Sequence, residues 1–447
     1  MSVMPATGSA ALRLGFVPAL NPHAGGVFQY LATMQAALTA IASDGDWLAP
    51  VALLPENVPD VDARFAADGW TATTLAPPVG GVRGALGRIV GQGPHRDALR
   101  RVRQWMRAGA DSGSSAADPS ATLRRNDVAQ WWRRHGIALT LFPQPHPLAF
   151  EAGLPFVVAV HDLQHRLQPE FREVSANGEW GRREYILRNC ISRAERVLVD
   201  SDVGKDDVLS FYEGYGARAD RIDVLPFVSP SAHAGEVSEA RRREVRARHR
   251  IPDRYVLYPA AFWPHKNHAR IIEAIERLAR TKQLRVDVVF CGSRGDAERD
   301  EQFSLLMQMA AQCGVMDQVH VPGYVSADEL AALYAGATAL VMPTFFGPTN
   351  IPVIEAWAHG CPVLTSDIPG IREQVGDAAI LADPRAVDAI AAGIERIVTD
   401  ADLRRGLAAR GTRRLAAHTP GQFQDRLLET LRRASAGHPA SLAPAHA

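Results

Sequence analysis

Residues 341–384 read VMPTFFGPTNIPVIEAWAHGCPVLTSDIPGIREQVGDAAILADP, and their pattern decides the fold. The stretch begins inside TALVMPT, a short apolar run that stops at Pro343, as a strand buried in a parallel sheet does. FFGPTN then turns the chain with Gly347 and Pro348. IPVIEAWAHG reads as a helix. Pro352 sits near its first turn, where a missing N–H costs nothing, and Gly360 is placed to end it. CPVLTSD is a second buried strand, and IPGIREQVG opens a further turn and helix. The local unit is strand, loop, helix, strand.

A loop that feeds a helix N-terminus at the carboxyl end of a parallel strand is an anion site. The backbone N–H groups of Thr349, Asn350 and Ile351 are expected to point outward there, and the helix dipole adds positive potential. The ligand class this suggests is phosphate. Glu355 lies in the first turns of the same helix. A carboxylate there can accept hydrogen bonds from vicinal hydroxyls, as acidic residues do with a ribose in dinucleotide folds. Amides for phosphate and a carboxylate for ribose on one turn make a nucleotide-diphosphate site. On spacing alone, a glutamate that merely favours the helix start accounts for Glu355 equally well.

The same stretch resembles the C-terminal signature of the retaining GT-B glycosyltransferases of family 4, which include bacterial mannosyl- and glucosyltransferases. That signature is an E-x7-E motif within E-G-F-G-L-P-x-x-E-A, then a G-x-P-V strand and a P-E-x-x-G-D-A-A loop. This chain carries Asn350, Ile351, Pro352, Glu355 and Ala356, then Gly360, Pro362 and Val363, then Glu373, Gly376, Asp377 and Ala378. Gly347 stands where the family has its first glutamate, the acid that touches the donor sugar. The second, Glu355, is implied to hold the nucleotide ribose.

At 447 residues the chain is too long for one core, so two domains are expected. Lys plus Arg equals Asp plus Glu at 49 each, and nothing in that balance points to nucleic acid. The four cysteines, Cys190, Cys291, Cys313 and Cys361, are far apart and form no C-x-x-C, so they read as buried thiols of a reducing compartment. Met1 to Ala11 has no basic start and no long apolar run, hence no signal peptide is read there. The expected location is the cytoplasm.

Taken in order, Leu12–Leu20 is the first strand, followed by Gly25 and Gly26 before a helix with apolar residues at helical spacing. Two glycines permit close backbone approach, although a plain tight turn explains them too. Ala49–Leu54 and Ala67–Leu75 read as strands. Between Pro77 and Arg107, seven arginines from Arg83 to Arg107 alternate with Val90, Leu99, Trp105 and Met106. A solvated basic helix face is the favoured reading; a peripheral helix on an anionic membrane surface is the other. PFVVAV is a buried strand from which His161 and Asp162 emerge at the carboxyl end, the edge where open parallel sheets bind ligands. RVLVDS is another, with Ser201 a plausible helix cap and Asp202 and Lys205 candidates to face a cleft. The segment 231–250 reads as a linker between domains at 12–230 and 251–433.

In the second domain, Lys266 sits in a loop just before a helix, flanked by His265 and Asn267. A mobile ammonium at a helix N-terminus suits a diphosphate. Gly323, Tyr324 and Val325 follow a strand, and a terminal amphipathic helix spans His418–Arg433, with disorder expected from Ala434 on. The resemblance extends over these motifs in sequence order. It implies that Gly25 and Gly26 face the donor phosphates and that His161 lies near the sugar. It implies further that Lys266 stabilises the leaving diphosphate, that Gly323, Tyr324 and Val325 meet the base, and that the C-terminal helix crosses back to the first domain. The expected fold is therefore α/β, with two doubly wound Rossmann-like domains facing a cleft in the GT-B arrangement. The expected activity is transfer of a hexosyl group, with a lean towards mannose from GDP-mannose, from a nucleotide-diphosphate sugar to a glycan or lipid-linked hydroxyl. No metal or cofactor is expected, because helix dipoles and Lys266 can carry the charge. Two other readings stand beside it: a sugar-nucleotide epimerase on the same fold, and a non-catalytic sugar-nucleotide-binding subunit.

Overall fold

The structure is a computed structural model that describes residues 11–18, 26–55, 65–77, 124–228, 236–292, 294–295, 297–323 and 325–437. Gly25, Tyr324, most of the Arg-rich stretch and the last ten residues lie outside the described residues. The first sheet holds β1 (Leu12–Phe16), β2 (Leu48–Leu54), β3 (Thr71–Thr74), β4 (Leu139–Phe142), β5 (Phe156–Ala159), β6 (Arg196–Val199) and β7 (Ile222–Val224). Its seven strands run in the order β3-β2-β1-β4-β5-β6-β7. The second sheet holds β8 (Val256–Pro259), β9 (Val288–Cys291), β10 (Val319–His320), β11 (Ala339–Met342), β12 (Val363–Ser366) and β13 (Ile380–Ala382). Its six strands run β10-β9-β8-β11-β12-β13. Every pairing is parallel, as in β5 against β4 and β6, and β11 against β8 and β12.

Parallel strands covered on both faces must be apolar on both faces. The sequences LTLF, FVVA, VVFC and ALVM meet that demand, and every residue in them is buried. Successive side chains alternate between faces. Val157 and Ala159 thus join the core with Phe16 and Leu38, while Val158 and Val160 join Trp132 and Tyr212 on the other side.

The helices that matter below are α1 (Gly26–Ser43), α2 (Asp202–Tyr212), α3 (Glu239–His249), α4 (His268–Lys282), α5 (Ile351–Ala358), α6 (Pro369–Val375) and α7 (Pro420–Ala436). Helix α7 starts with a capping box of Thr419 and Gln422 and has Pro420 in its first turn. It buries Phe423, Leu427 and Leu431 in the core of the first sheet. At about 1.5–3 kcal/mol for each fully buried side chain, that contact outweighs the cost of a long return connection. The chain therefore crosses back at its end. The helix continues past the expected limit to Ala436, because Ala434 is buried against the same core.

Helix α3, inside the segment read as a linker, packs on the second core through Val245. Arg248 pairs with Glu329 at 2.7 Å. Cys190, Cys291 and Cys361 are buried and burial pushes each thiol up to about 12, whereas Cys313 is only half-buried.

Each sheet reverses its order at one place, between β1 and β4 and between β8 and β11. Loops leaving the strand ends beside such a reversal form the ligand crevice of open α/β sheets. Gly26 follows β1, His161 follows β5, Lys266 follows β8, and the 343–350 loop follows β11. The two crevices face each other.

Candidate active site in the cleft

The second-domain wall is built by two adjacent strand ends. After β8, a 3-10 turn at Pro264–Lys266 leads into α4. Asn267 adopts φ 64°, a left-handed conformation that Asn tolerates better than most residues. Its amide donates to the carbonyls of Pro343 at 2.7 Å and Pro384 at 2.8 Å, tying the loop after β8 to those after β11 and β13. Both of its amide donors are thus engaged within the fold, in the loop that carries Lys266. Lys266 has no ion pair among the described residues. Burial pushes its ammonium down to about 8, and the charge of Asp162 across the gap works against that shift. His265 is turned towards the first domain. Its Nδ1 lies 2.8 Å from Glu173 Oε1, and its backbone N–H donates to the same oxygen at 3.3 Å. Burial pulls this imidazole below its ordinary value, with Glu173 opposing.

After β11 the chain makes the 343–350 loop. Gly347 has φ 127°, and a Cβ there would sit 2.8 Å from Asn350 Nδ2. That left-handed backbone suits glycine and strains any side chain placed at 347. Of the amides expected to point outward, that of Asn350 is taken: it donates to Gln374 Oε1 at 3.0 Å, and Gln374 returns a bond to Asn350 O at 3.0 Å. Glu355, one turn into α5, is 5% exposed. Its Oε2 accepts from the Tyr334 hydroxyl at 2.9 Å and its Oε1 from Gln29 Nε2 at 2.8 Å. Burial raises the Tyr334 hydroxyl well above its ordinary value, and the Glu355 charge adds to this. Gly323 adopts φ 81°, and Val325 packs on the second core.

The first-domain wall meets this one closely. A Cβ on Gly26 would lie 3.2 Å from Ile351 Cδ1, so the start of α1 faces the start of α5. His161 is held by a 2.7 Å bond between Nε2 and the Pro143 carbonyl and by an edge contact with Tyr30, centroids 4.4 Å apart. Since a carbonyl only accepts, Nε2 carries the proton. Asp162 Oδ1 accepts from Gln164 N at 3.1 Å and from Arg183 at 3.2 Å. His161, Asp162, Val160, Leu167, Phe346 and Pro348 line the gap between the domains.

Further contacts cross the seam. Gln168 donates to Phe345 O at 2.7 Å, and Thr349 Oγ1 donates to Asp200 Oδ2. Glu373 of α6 accepts from the amides of Asp202 at 2.8 Å and Val203 at 2.9 Å, so a carboxylate from one domain caps α2 of the other. Ser201 caps the same helix from its own side, accepting from Gly204 N at 3.0 Å. Each bond contributes about 1 kcal/mol net, so no single one fixes the closed arrangement.

Gln29, Tyr30, Glu173, Asp200 and Gln374 escaped the sequence reading. Only Asp200 left a signal, an acid at the carboxyl end of an apolar strand. Among the described residues no group of three or more His, Cys, Asp or Glu could hold a metal ion. Among them, too, no helix is long and apolar enough to cross a membrane.

Solved structures of known proteins share this arrangement. Sucrose-phosphate synthase from Thermosynechococcus elongatus superposes with TM-score 0.65 over 95% of this chain and 100% of its own, at 15% identity. Anabaena HepE, in complex with UDP and glucose, gives TM-score 0.64 over 94% of this chain and 99% of its own, at 16% identity. The fold is GT-B. Residues 241–414, most of the second domain, match the family model Glycosyl transferases group 1. O-antigen chain mannosyltransferase B of Escherichia coli is 28% identical over 229 residues, 51% of this chain and 58% of that protein. The serotype-specific mannosyltransferase WbdA of Escherichia coli is 26% identical over 284 residues, 61% of this chain. The chain spans only 33% of WbdA. Together these likenesses give the fold for the chain as a whole and a similarity to group 1 glycosyl transferases for residues 241–414.

Proposed function

We propose that this chain is a retaining hexosyltransferase that moves a sugar from a nucleotide-diphosphate sugar to a hydroxyl of a glycan or lipid-linked acceptor in the synthesis of a surface polysaccharide. GDP-mannose is the donor we favour, on the similarity to mannosyltransferases. A lipid-linked acceptor would bring the protein to the inner face of the membrane. Residues 12–230 form the acceptor side, 251–433 the donor side, and 231–250 the connection between them.

One observation carries the reading. Lys266, an ammonium without an ion pair among the described residues, stands at the cleft before α4, beside the strand whose loop starts α5. A diphosphate between them meets a positive charge and two helix dipoles. Transfer needs stabilisation of the departing diphosphate and of an oxocarbenium-like sugar carbon. Lys266, with the amides of Thr349 and Ile351, supplies the first. Glu355 exchanges its bond to Gln29 for the ribose hydroxyls as the seam opens. His161 orients the sugar or its phosphate. Gly323 and Val325 border the base, and Gly26 closes the far side.

The test is incubation of the full chain with GDP-mannose or UDP-glucose and a simple hexoside acceptor. The expected result is nucleotide release that depends on acceptor, with an equatorial anomeric proton in the product by NMR, as in the α-linked donor. Gly347 favours a second reading, a subunit that binds the sugar nucleotide and never turns over. Binding without release on any acceptor would support it. Release of an epimerised sugar nucleotide would instead identify an epimerase.

A further inference from the structure

The cleft contains one more acid, which neither the fold nor the proposed reaction uses. Asp200 follows β6 and is partly exposed at the seam. Neighbouring carboxylates have evident partners: Glu355 has Tyr334 and Gln29, Glu173 has His265, Asp162 has Arg183, and Glu373 has the amides of α2. Asp200 differs in kind. Its partners are two hydroxyls, Thr349 Oγ1 from the other domain and Ser201 Oγ at 3.3 Å, and among the described residues it forms no ion pair. Tyr30 and His161 stand near enough to share its charge.

A carboxylate whose side-chain hydrogen bonds come from neutral hydroxyls, with no cation paired to it among the described residues, costs the fold stability where it is withdrawn from water. Groups left in that condition cluster where ligands bind. The Thr349 hydroxyl reaches Asp200 from the diphosphate loop, as a hydroxyl on a sugar attached to that diphosphate would. The loop supplies no such acid itself, since position 347 is a glycine whose φ of 127° strains a side chain.

We propose that Asp200 is a substrate-binding carboxyl of the first domain that accepts a hydrogen bond from a hydroxyl of the transferred sugar, displacing Thr349. The inference rests on the sugar-nucleotide reading of the site.

The experiment is calorimetric titration of the full chain with two probe pairs, GDP with GDP-mannose and UDP with UDP-glucose. The pair that binds the wild type is then titrated into Asp200→Asn and Asp200→Ala, each checked for a native melting transition. The expected result is a rise of at least about tenfold in Kd for the sugar nucleotide, the loss of one charge-assisted bond, with the bare nucleotide within about twofold. Equal loss for both members of the pair would make Asp200 a latch between domains and overturn the proposal, as would no loss for either. A wild type that binds none of the four probes would remove the site reading, and this proposal with it, before any variant is compared.

Discussion

Two acids in the first domain show how the same chemical group is put to opposite use. Glu184 is 4% exposed and surrounded by donors: His165 Nε2 at 2.6 Å, the Tyr212 hydroxyl at 2.7 Å and the guanidinium of Arg166. Burial alone would push its carboxyl up, but those bonds outweigh burial and hold it at about 2. Arg166 also stacks on Trp180, 5.0 Å from the ring centroid. Asp200 has hydroxyls where Glu184 has cations. Burial raises its carboxyl, and Thr349, His161 and Ser201 do not bring it back. Where the fold supplies the counter-charge, the acid serves the fold. Where it does not, the group faces the cleft and is left for a ligand.

The strongest attempt to break that contrast is Glu184→Ala. It leaves a half-buried guanidinium without its carboxylate and the buried Tyr212 hydroxyl with only a long 3.4 Å contact to His165, and should cost about 2–4 kcal/mol in urea unfolding. The folded fraction should bind nucleotide as the wild type does. A loss of nucleotide affinity with stability intact would put Glu184 on the functional side and undo the distinction.

Lys266→Ala should have the opposite profile. Nucleotide affinity should fall by about 1.5–3 kcal/mol while the melting temperature holds or rises, since burial already disfavours the ammonium. Its pH dependence has a definite sign. With the free-protein value near 8, the ammonium is charged below that pH and loses its proton above it. Calorimetric affinity for the nucleotide should be flat below about pH 7 and weaken above pH 8 by up to about tenfold per unit. In Lys266→Ala that slope should vanish.

Asp200→Asn should change stability by less than about 1 kcal/mol. The folded carboxyl titrates above its ordinary 3.8, so its cost is present above the folded value and disappears below 3.8. The variant should match or exceed the wild type at pH 7 and lose that advantage near pH 4, as read by thermal melts across pH. The smallest effect is expected from Glu373→Gln, which weakens two seam bonds worth about 1 kcal/mol each. Solution scattering should then show a slightly larger radius of gyration, with melting almost unchanged.

The sequence made some parts of this molecule legible and hid others for a physical reason. Strands such as FVVA and ALVM are apolar on both faces because both faces are covered, and no flanking context is needed to see them. His161 stands two residues past such a strand and Lys266 in the loop seven residues past another, places that a strand pattern alone marks. β1 ends at Phe16 rather than Leu20, and β3 is only Thr71–Thr74, because edge and terminal pairing is set by neighbours far away in the chain. The seam was hidden for the same reason. Asp200 meets Thr349 across 149 residues, Glu373 meets Asp202 across 171, and His265 meets Glu173 across 92. Asn267 was visible as a polar neighbour of Lys266, but its work of joining Pro343 to Pro384 was not, since no local pattern marks a side chain that bridges two loops.

The central claim is that the wall formed by Lys266 and Glu355 holds a nucleotide diphosphate. Calorimetric titration of GDP and UDP into the full chain and into Glu355→Gln tests it most directly. The account predicts that one nucleotide binds the wild type and that the variant, which keeps the shape and loses the charge, binds it at least about tenfold more weakly. Binding of neither nucleotide, or equal binding by both proteins, would contradict it.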